Sequence, residues 1–121
     1  MTAASEGFPR RLRLLEAEAF RKVFGSRCKV HDRNLGVLAA RNAIGYPRLG
    51  LAISRRCVRS AVQRNRLRRL VRESFRRHQR LLGGLDVVVT SRTGVAERSN
   101  QEIAATLQRC WVELARRCGG C

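Results

Sequence analysis

Between Arg55 and Arg80 eleven arginines stand against a single acid, Glu73, in a stretch whose apolar residues recur at helical spacing. An α-helix with arginine along one side can bury only its other side, so it must lie on a core that it covers from outside. Leu67, Leu70, Val71, Ser74, Phe75, Leu81 and Leu82 fall on one face at about 100° per residue. Asn65, Arg68, Arg69, Arg72, Arg76 and Arg80 fall on the opposite face, Arg66 and Arg77 border it, and Arg64 projects nearer the apolar arc. The spacing predicts a helix that starts between Val58 and Ala61, runs to about Leu82 and stops at Gly83-Gly84.

Arginine keeps its proton at any cellular pH, and its planar fork of donors matches phosphate oxygens. Solvated helix faces usually interleave both signs, whereas Arg68, Arg72, Arg76 and Arg80 stack as like charges four residues apart. Each such pair costs about 0.2–0.5 kcal/mol. An anionic polymer lying alongside would remove that repulsion. With 26 basic and 9 acidic side chains and a net charge of +17, the whole chain carries the electrostatic footprint of a nucleic-acid binder. Charge alone does not separate RNA from DNA. A regulator reading a DNA major groove needs a short helix-turn-helix pair, and here a strand candidate directly precedes the basic helix.

The remaining elements follow from local pattern. Residues 1–13 read as an extended basic lead-in around Phe8-Pro9-Arg10-Arg11. A first helix is expected from about Glu16 to Phe24, with Leu15, Ala19, Phe20, Val23 and Phe24 at helical spacing, ended by Gly25-Ser26. Strands are expected near Cys28 to His31, over Leu35 to Ala40, over Leu49 to Ser54 and over Leu85 to Thr90, with a turn at Asn42 to Pro47. Ser99-x-x-Glu102 is a capping box for a last helix, whose apolar stripe is Ile103, Leu107, Cys110, Trp111, Leu114 and Cys118. The order predicts one α+β domain over residues 1–121, a small mixed sheet of about four strands with three helices packed on it and residues 118–121 frayed. Trp111 is expected to anchor the core.

No apolar run approaches the roughly 18 residues that span a bilayer, and the first nine residues carry no signal-peptide pattern. Five cysteines at irregular spacing argue against a disulfide framework and for a reducing cytoplasm. Cys118-x-x-Cys121, with Cys110 nearby, lacks partners for a metal site, because His31 and His78 show no ligand spacing. The nine acids are scattered and no phosphate-cradling glycine loop is present. Protein side chains are therefore not expected to hydrolyse a phosphodiester by themselves, and no catalytic residue is assigned.

The segment from Ser54 to Arg76, with the pair Arg55-Arg56, then Arg64-Asn65-Arg66, Arg68-Arg69 and Arg72-Glu73, closely resembles the signature of the bacterial ribonuclease P protein subunit. Phe8-Pro9-Arg10 with Leu12-Arg13-Leu14, Phe20 with Val23-Phe24, Pro47-Arg48-Leu49-Gly50-Leu51, Asp86-Val87-Val88-Val89 and Gly94-Val95-Ala96 resemble further parts of that family, so the likeness spans nearly the whole chain.

The resemblance implies a fold similar to the second domain of ribosomal protein S5, with a left-handed βαβ crossover that composition could not show, right-handed crossovers being the default. It implies a ribonucleoprotein endonuclease in tRNA processing. The protein joins a catalytic RNA, one per RNA, and helps it remove the 5′ leader of precursor tRNA, with Mg²⁺ held mainly by the RNA. By position, Arg55, Arg56, Arg64, Asn65, Arg66 and Arg69 match the surface facing the catalytic RNA. Phe20, Phe24, Arg68 and Arg72 match the leader cleft, where aromatic faces stack on unpaired bases at about 1–3 kcal/mol each. Read without the resemblance, Phe20 and Phe24 are an i,i+4 pair that packs into the core. The chain departs from the family in having no aromatic residue in Leu35 to Ala40, and in using 24 arginines to 2 lysines. The rival reading is a ribosome-associated RNA-binding protein with no role in cleavage.

Overall fold

The computed structural model describes residues 9–119. Four strands, β1 (Cys28–Asp32), β2 (Leu35–Arg41), β3 (Arg48–Ala52) and β4 (Leu85–Ser91), form one sheet in the order β1-β2-β4-β3. β1/β2 and β2/β4 are antiparallel, and β3/β4 are parallel. The parallel pair needs a long connection, which the basic helix supplies. The helices are α1 (Ala17–Phe24), α2 (Ala61–Arg77), α3 (Gln79–Leu82) and α4 (Asn100–Leu114). The lead-in contains a 3₁₀ turn over Arg10–Leu12 and a parallel bridge from Arg13 to Leu49, so it is pinned to β3 rather than simply extended; its residues 1–8, with Phe8, lie outside the described residues.

Alternation along the strands gives the sheet two apolar faces. Leu35, Val37, Ala39, Leu49, Leu85, Val87 and Val89 face α2 and α4, where they meet Leu67, Val71, Phe75, Ile103, Leu107 and Trp111. Leu38 and Val88 point the other way, onto Leu14 and Val23 beside α1. Asp86, on this second face, is buried. Its carboxylate accepts from Arg48 Nε at 2.9 Å, Arg48 Nη2 at 2.7 Å and Asn42 Nδ2 at 2.8 Å, which ties the start of β4 to β3 and to the turn before it.

Capping sets the helix starts. Ser60 Oγ accepts from Gln63 N at 3.2 Å, and Ser99 with Glu102 closes the expected capping box. The end of the basic helix differs from expectation. Instead of running unbroken to Leu82, it breaks at His78, whose backbone lies at φ −115° and ψ 20°. His78 Nδ1 lies 2.7 Å from Ser74 O, the carbonyl that a continuing helix would offer to the His78 amide. The amide donates to Phe75 O instead, at 3.0 Å. Among the described residues the three expected α-helices thus become four, and the phase shifts: Leu82 is buried, but Leu81, expected on the apolar face, is 43% exposed.

The cysteines require a second correction. Cys28 and Cys118 are joined as a disulfide across 90 residues. Spacing in sequence carries no information on this pair, because α4 crosses β1 and brings its C-terminal turn back to the edge strand. Arg117 Nη1 donates to Lys29 O at 3.1 Å and Arg41 Nε to Cys118 O at 3.2 Å, holding that turn in place. Cys121 lies outside the described residues. Cys110 is fully buried, and desolvation pushes its thiol pKa up to about 11.

Candidate nucleic-acid interface

The expected site residues separate into three groups. The first lines a cleft of about 240 Å³ between the lead-in, α1, β3 and α2, where Phe20, Arg68 and Arg72 meet Arg13, Leu14 and Gly50. The Phe20 ring lies directly on the Gly50 backbone: a Cβ there would stand 2.5 Å from Phe20 Cζ. A glycine inside a strand marks such a close approach, and only glycine admits this ring. Phe24 stacks on Phe20 with centroids 6.4 Å apart and planes at 22°. Phe24 is 44% exposed and does not line the cleft. Thus Phe20 is a cleft wall, whereas Phe24 extends an aromatic surface outward.

Positive charge converges here. Arg68 Nη1 donates to Asn65 Oδ1 at 3.1 Å, which lays the guanidinium along the helix. Burial first, and then the positive charges of Arg13 and Arg68, lower the pKa of the Arg72 guanidinium from its ordinary value. An arginine remains charged under such a shift, so the cleft holds a cationic, partly desolvated wall beside an aromatic face and no carboxylate.

A second group is exposed: Arg55 and Arg56 in the turn after β3, and Asn65 and Arg69 on the outer side of α2. Arg59, which leads into the helix, is exposed as well.

The third group makes contacts within the fold. Arg64 and Arg66, expected to face RNA, are half-buried, and their guanidinium groups donate to neighbouring acceptors. Arg64 Nη1 donates to Val58 O at 2.9 Å and to Arg59 O at 2.8 Å, folding back over the turn that presents Arg55 and Arg56. Arg66 Nε donates to Gln63 Oε1 at 2.8 Å, Nη2 to Ala96 O and Arg98 O at 3.1 Å each, and Nη1 to Asn100 Oδ1. Three of these hydrogen bonds tie α2 to the start of α4 and the segment before it, and the fourth stays within α2. A planar fork with five donors suits such a tether as well as it suits phosphate.

Sequence reasoning missed Arg13 and Gly50. A glycine within an apolar strand run was the available signal for Gly50, whereas nothing in the spacing distinguished Arg13 from its neighbours. Among the described residues no three His, Cys, Asp or Glu side chains gather to hold a metal ion, and no helix is long and apolar enough to cross a membrane.

Comparison with known proteins accords with this geometry. The family description "Ribonuclease P" matches residues 8–115. The ribonuclease P protein component of Methylococcus capsulatus is 47% identical over 114 residues, covering 94% of this chain and 89% of that protein. That of Pseudomonas putida KT2440 is 47% identical over 113 residues, covering 93% and 85%. Among solved structures, the RNase P protein of Thermotoga maritima in complex with 1-(4-fluorophenyl)-2-thiourea superposes with a TM-score of 0.75 at 28% identity, covering 83% of this chain and 97% of that one. The RNase P protein of Staphylococcus aureus gives 0.75 at 25% identity, covering 82% and 91%. Cationic cleft, arginine helix and mixed sheet thus come together with a match over nearly the whole length, and the chain belongs to the ribonuclease P protein component family.

Proposed function

We propose that this chain, a protein subunit of ribonuclease P by its family, binds the enzyme's catalytic RNA through its outer arginines and holds the 5′ leader of precursor tRNA in its cleft. The observation that carries the reading is the Phe20 ring seated on Gly50, with Arg68, Arg72 and Arg13 lining the same cleft. Single-stranded nucleic acid is gripped in this way, by an aromatic face for the bases and cations for the backbone. Arg55, Arg56, Asn65 and Arg69 face the catalytic RNA; Arg64 and Arg66 serve that surface by holding its turn and its helix in place.

Phosphodiester hydrolysis falls to the RNA, which holds the Mg²⁺. In support, the cleft lining offers neither a carboxylate nor an imidazole to bind a metal or move a proton. The protein's own contribution is to position the leader and to screen backbone charge, which lowers the Mg²⁺ the RNA requires. One copy per RNA, folded as one RNA-binding domain and working in the cytoplasm, completes the reading.

Reconstitution tests it. Added to the catalytic RNA at low Mg²⁺, the protein should restore cleavage of precursor tRNA; unchanged turnover would favour a ribosome-associated role instead. Replacing Arg68 and Arg72 together with alanine should weaken binding of precursor more than of mature tRNA, and equal loss for both would refute the leader role. Cleavage by RNA-free protein would overturn the assignment of the chemistry.

A further inference from the structure

A second ring lies on a glycine of the same sheet face, at the opposite edge. Strand register places His31, Gly36, Thr90 and Ala52 in one row across β1, β2, β4 and β3. A Cβ on Gly36 would stand 3.1 Å from His31 Nδ1 and 3.3 Å from His31 Cε1, so the imidazole leans over this glycine. The middle of the row carries only small side chains. Thr90 Oγ1 is turned down onto Gly36 O at 3.3 Å, and Ala52 packs against the apolar cluster under α1. The row therefore forms a low floor that runs from the Phe20 side of the sheet to His31. Three strand spacings of about 4.8 Å give it a length of roughly 14 Å.

His31 is exposed and paired with an exposed arginine. Arg92 Nη2 lies 3.2 Å from His31 Nδ1. A guanidinium only donates, so Nδ1 accepts and Nε2 carries the ring proton. The ring is thereby held while one face stays available. Phe20 with Arg68 and Arg72 at the β3 edge, and His31 with Arg92 at the β1 edge, present the same pairing of aromatic face and cation.

We propose that His31, held by Arg92, is a second stacking platform for single-stranded RNA and takes leader bases that have passed Phe20 along the floor of Ala52, Thr90 and Gly36. The inference rests on the leader reading above and extends it: the leader crosses the whole sheet and does not end at the cleft.

The experiment uses the reconstituted holoenzyme and precursor tRNAs with leaders of increasing length, each carrying a single 2-aminopurine at a successive leader position. Stacking quenches its fluorescence. Wild type should quench at positions near Phe20 and again at positions farther out. His31→Ala should remove the outer quenching alone and weaken binding of long-leader substrates about fivefold or more, as loss of one stacked base requires, leaving short-leader substrates unaffected. His31→Phe should retain both the quenching and the affinity. His31 lies exposed on an edge strand, so an unchanged melting temperature checks that either variant is folded. If His31→Ala leaves the outer positions unchanged, acts equally at every leader length, or is matched by His31→Phe, the proposal fails. Phe20→Ala separates the two levels: if it too alters nothing, the leader reading itself has failed, whereas an effect of Phe20→Ala alone overturns only the role of His31.

Discussion

Trp111 Nε1 donates to Ser74 Oγ at 2.8 Å, linking the last turn of α4 to the last turn of the arginine helix. The indole is fully buried and meets Phe75 edge-on, with centroids 6.1 Å apart and planes at 74°. This contact joins Leu67 and Val71 in holding the inner face of α2 against the core. With Ser74 and Phe75 turned inward, Arg68 and Arg72 reach the cleft and Arg69 faces outward.

Trp111→Phe should therefore act on stability rather than on RNA contacts. The lost indole volume and the unpaired Ser74 hydroxyl should together cost about 2–3 kcal/mol. Urea unfolding measures the loss, and precursor binding well below the melting temperature should stay near wild type. An unchanged unfolding midpoint would show that the contact does not hold the helix.

Gly50→Ala should unseat Phe20, because a methyl group 2.5 Å from its Cζ cannot coexist with the present ring position. The variant should reproduce the loss of leader-dependent affinity expected of Phe20→Ala, while binding of mature tRNA stays unchanged. Full leader dependence in Gly50→Ala would mean that the ring's seat on the strand is dispensable.

Arg66 and Arg69 should behave oppositely. Arg66→Ala removes four hydrogen bonds to Gln63, Ala96, Arg98 and Asn100, and should lower stability by about 1–3 kcal/mol. Arg69 is exposed, so Arg69→Ala should shift stability by less than about 0.5 kcal/mol. It should weaken catalytic-RNA binding and reduce its logarithmic salt slope by about 1. Thermal melts paired with a salt titration distinguish them, and a stability loss from Arg69→Ala with no change of salt slope would reverse the two roles.

The capping box predicts a pH dependence. Hydrogen bonds from the Ser99 backbone, its side chain, and then the charges of Arg98 and Arg33 lower the Glu102 carboxyl below its ordinary value of 4.5. A depressed carboxyl contributes stability above its unfolded pKa and loses it as pH falls through the folded one. Wild type should melt above Glu102→Gln at pH 6, and the gap should close as the pH falls through the ordinary carboxyl value and below. A gap that holds or widens in acid would show that the charged form is not what caps α4.

Much of the architecture was legible from local chemistry. Ser99-x-x-Glu102 announced its helix, the β-branched run Val87-Val88-Val89 its strand, and the arginine spacing which side of α2 meets the core. These are short-range properties: a cap, a β-propensity or a helical phase depends on residues within one or two turns. The same locality explains what could not be read. Whether an arginine faces RNA or ties the fold together depends on acceptors far away in sequence, and the carbonyls of Ala96 and Arg98 that take up Arg66 lie about thirty residues on. The bond between Cys28 and Cys118 and the seat of Phe20 on Gly50 exist only because the strand order β1-β2-β4-β3 brings those segments together. The break at His78 shows the limit even within one helix, since an imidazole competing for the Ser74 carbonyl overrode the periodicity that had placed Leu81 inside. Sequence alone determined that a cationic helix would cover a small mixed sheet, because charge and phase are written residue by residue. Tertiary structure decided which of those charges remain available to a partner, because hydrogen-bond acceptors are shared out only once the elements pack.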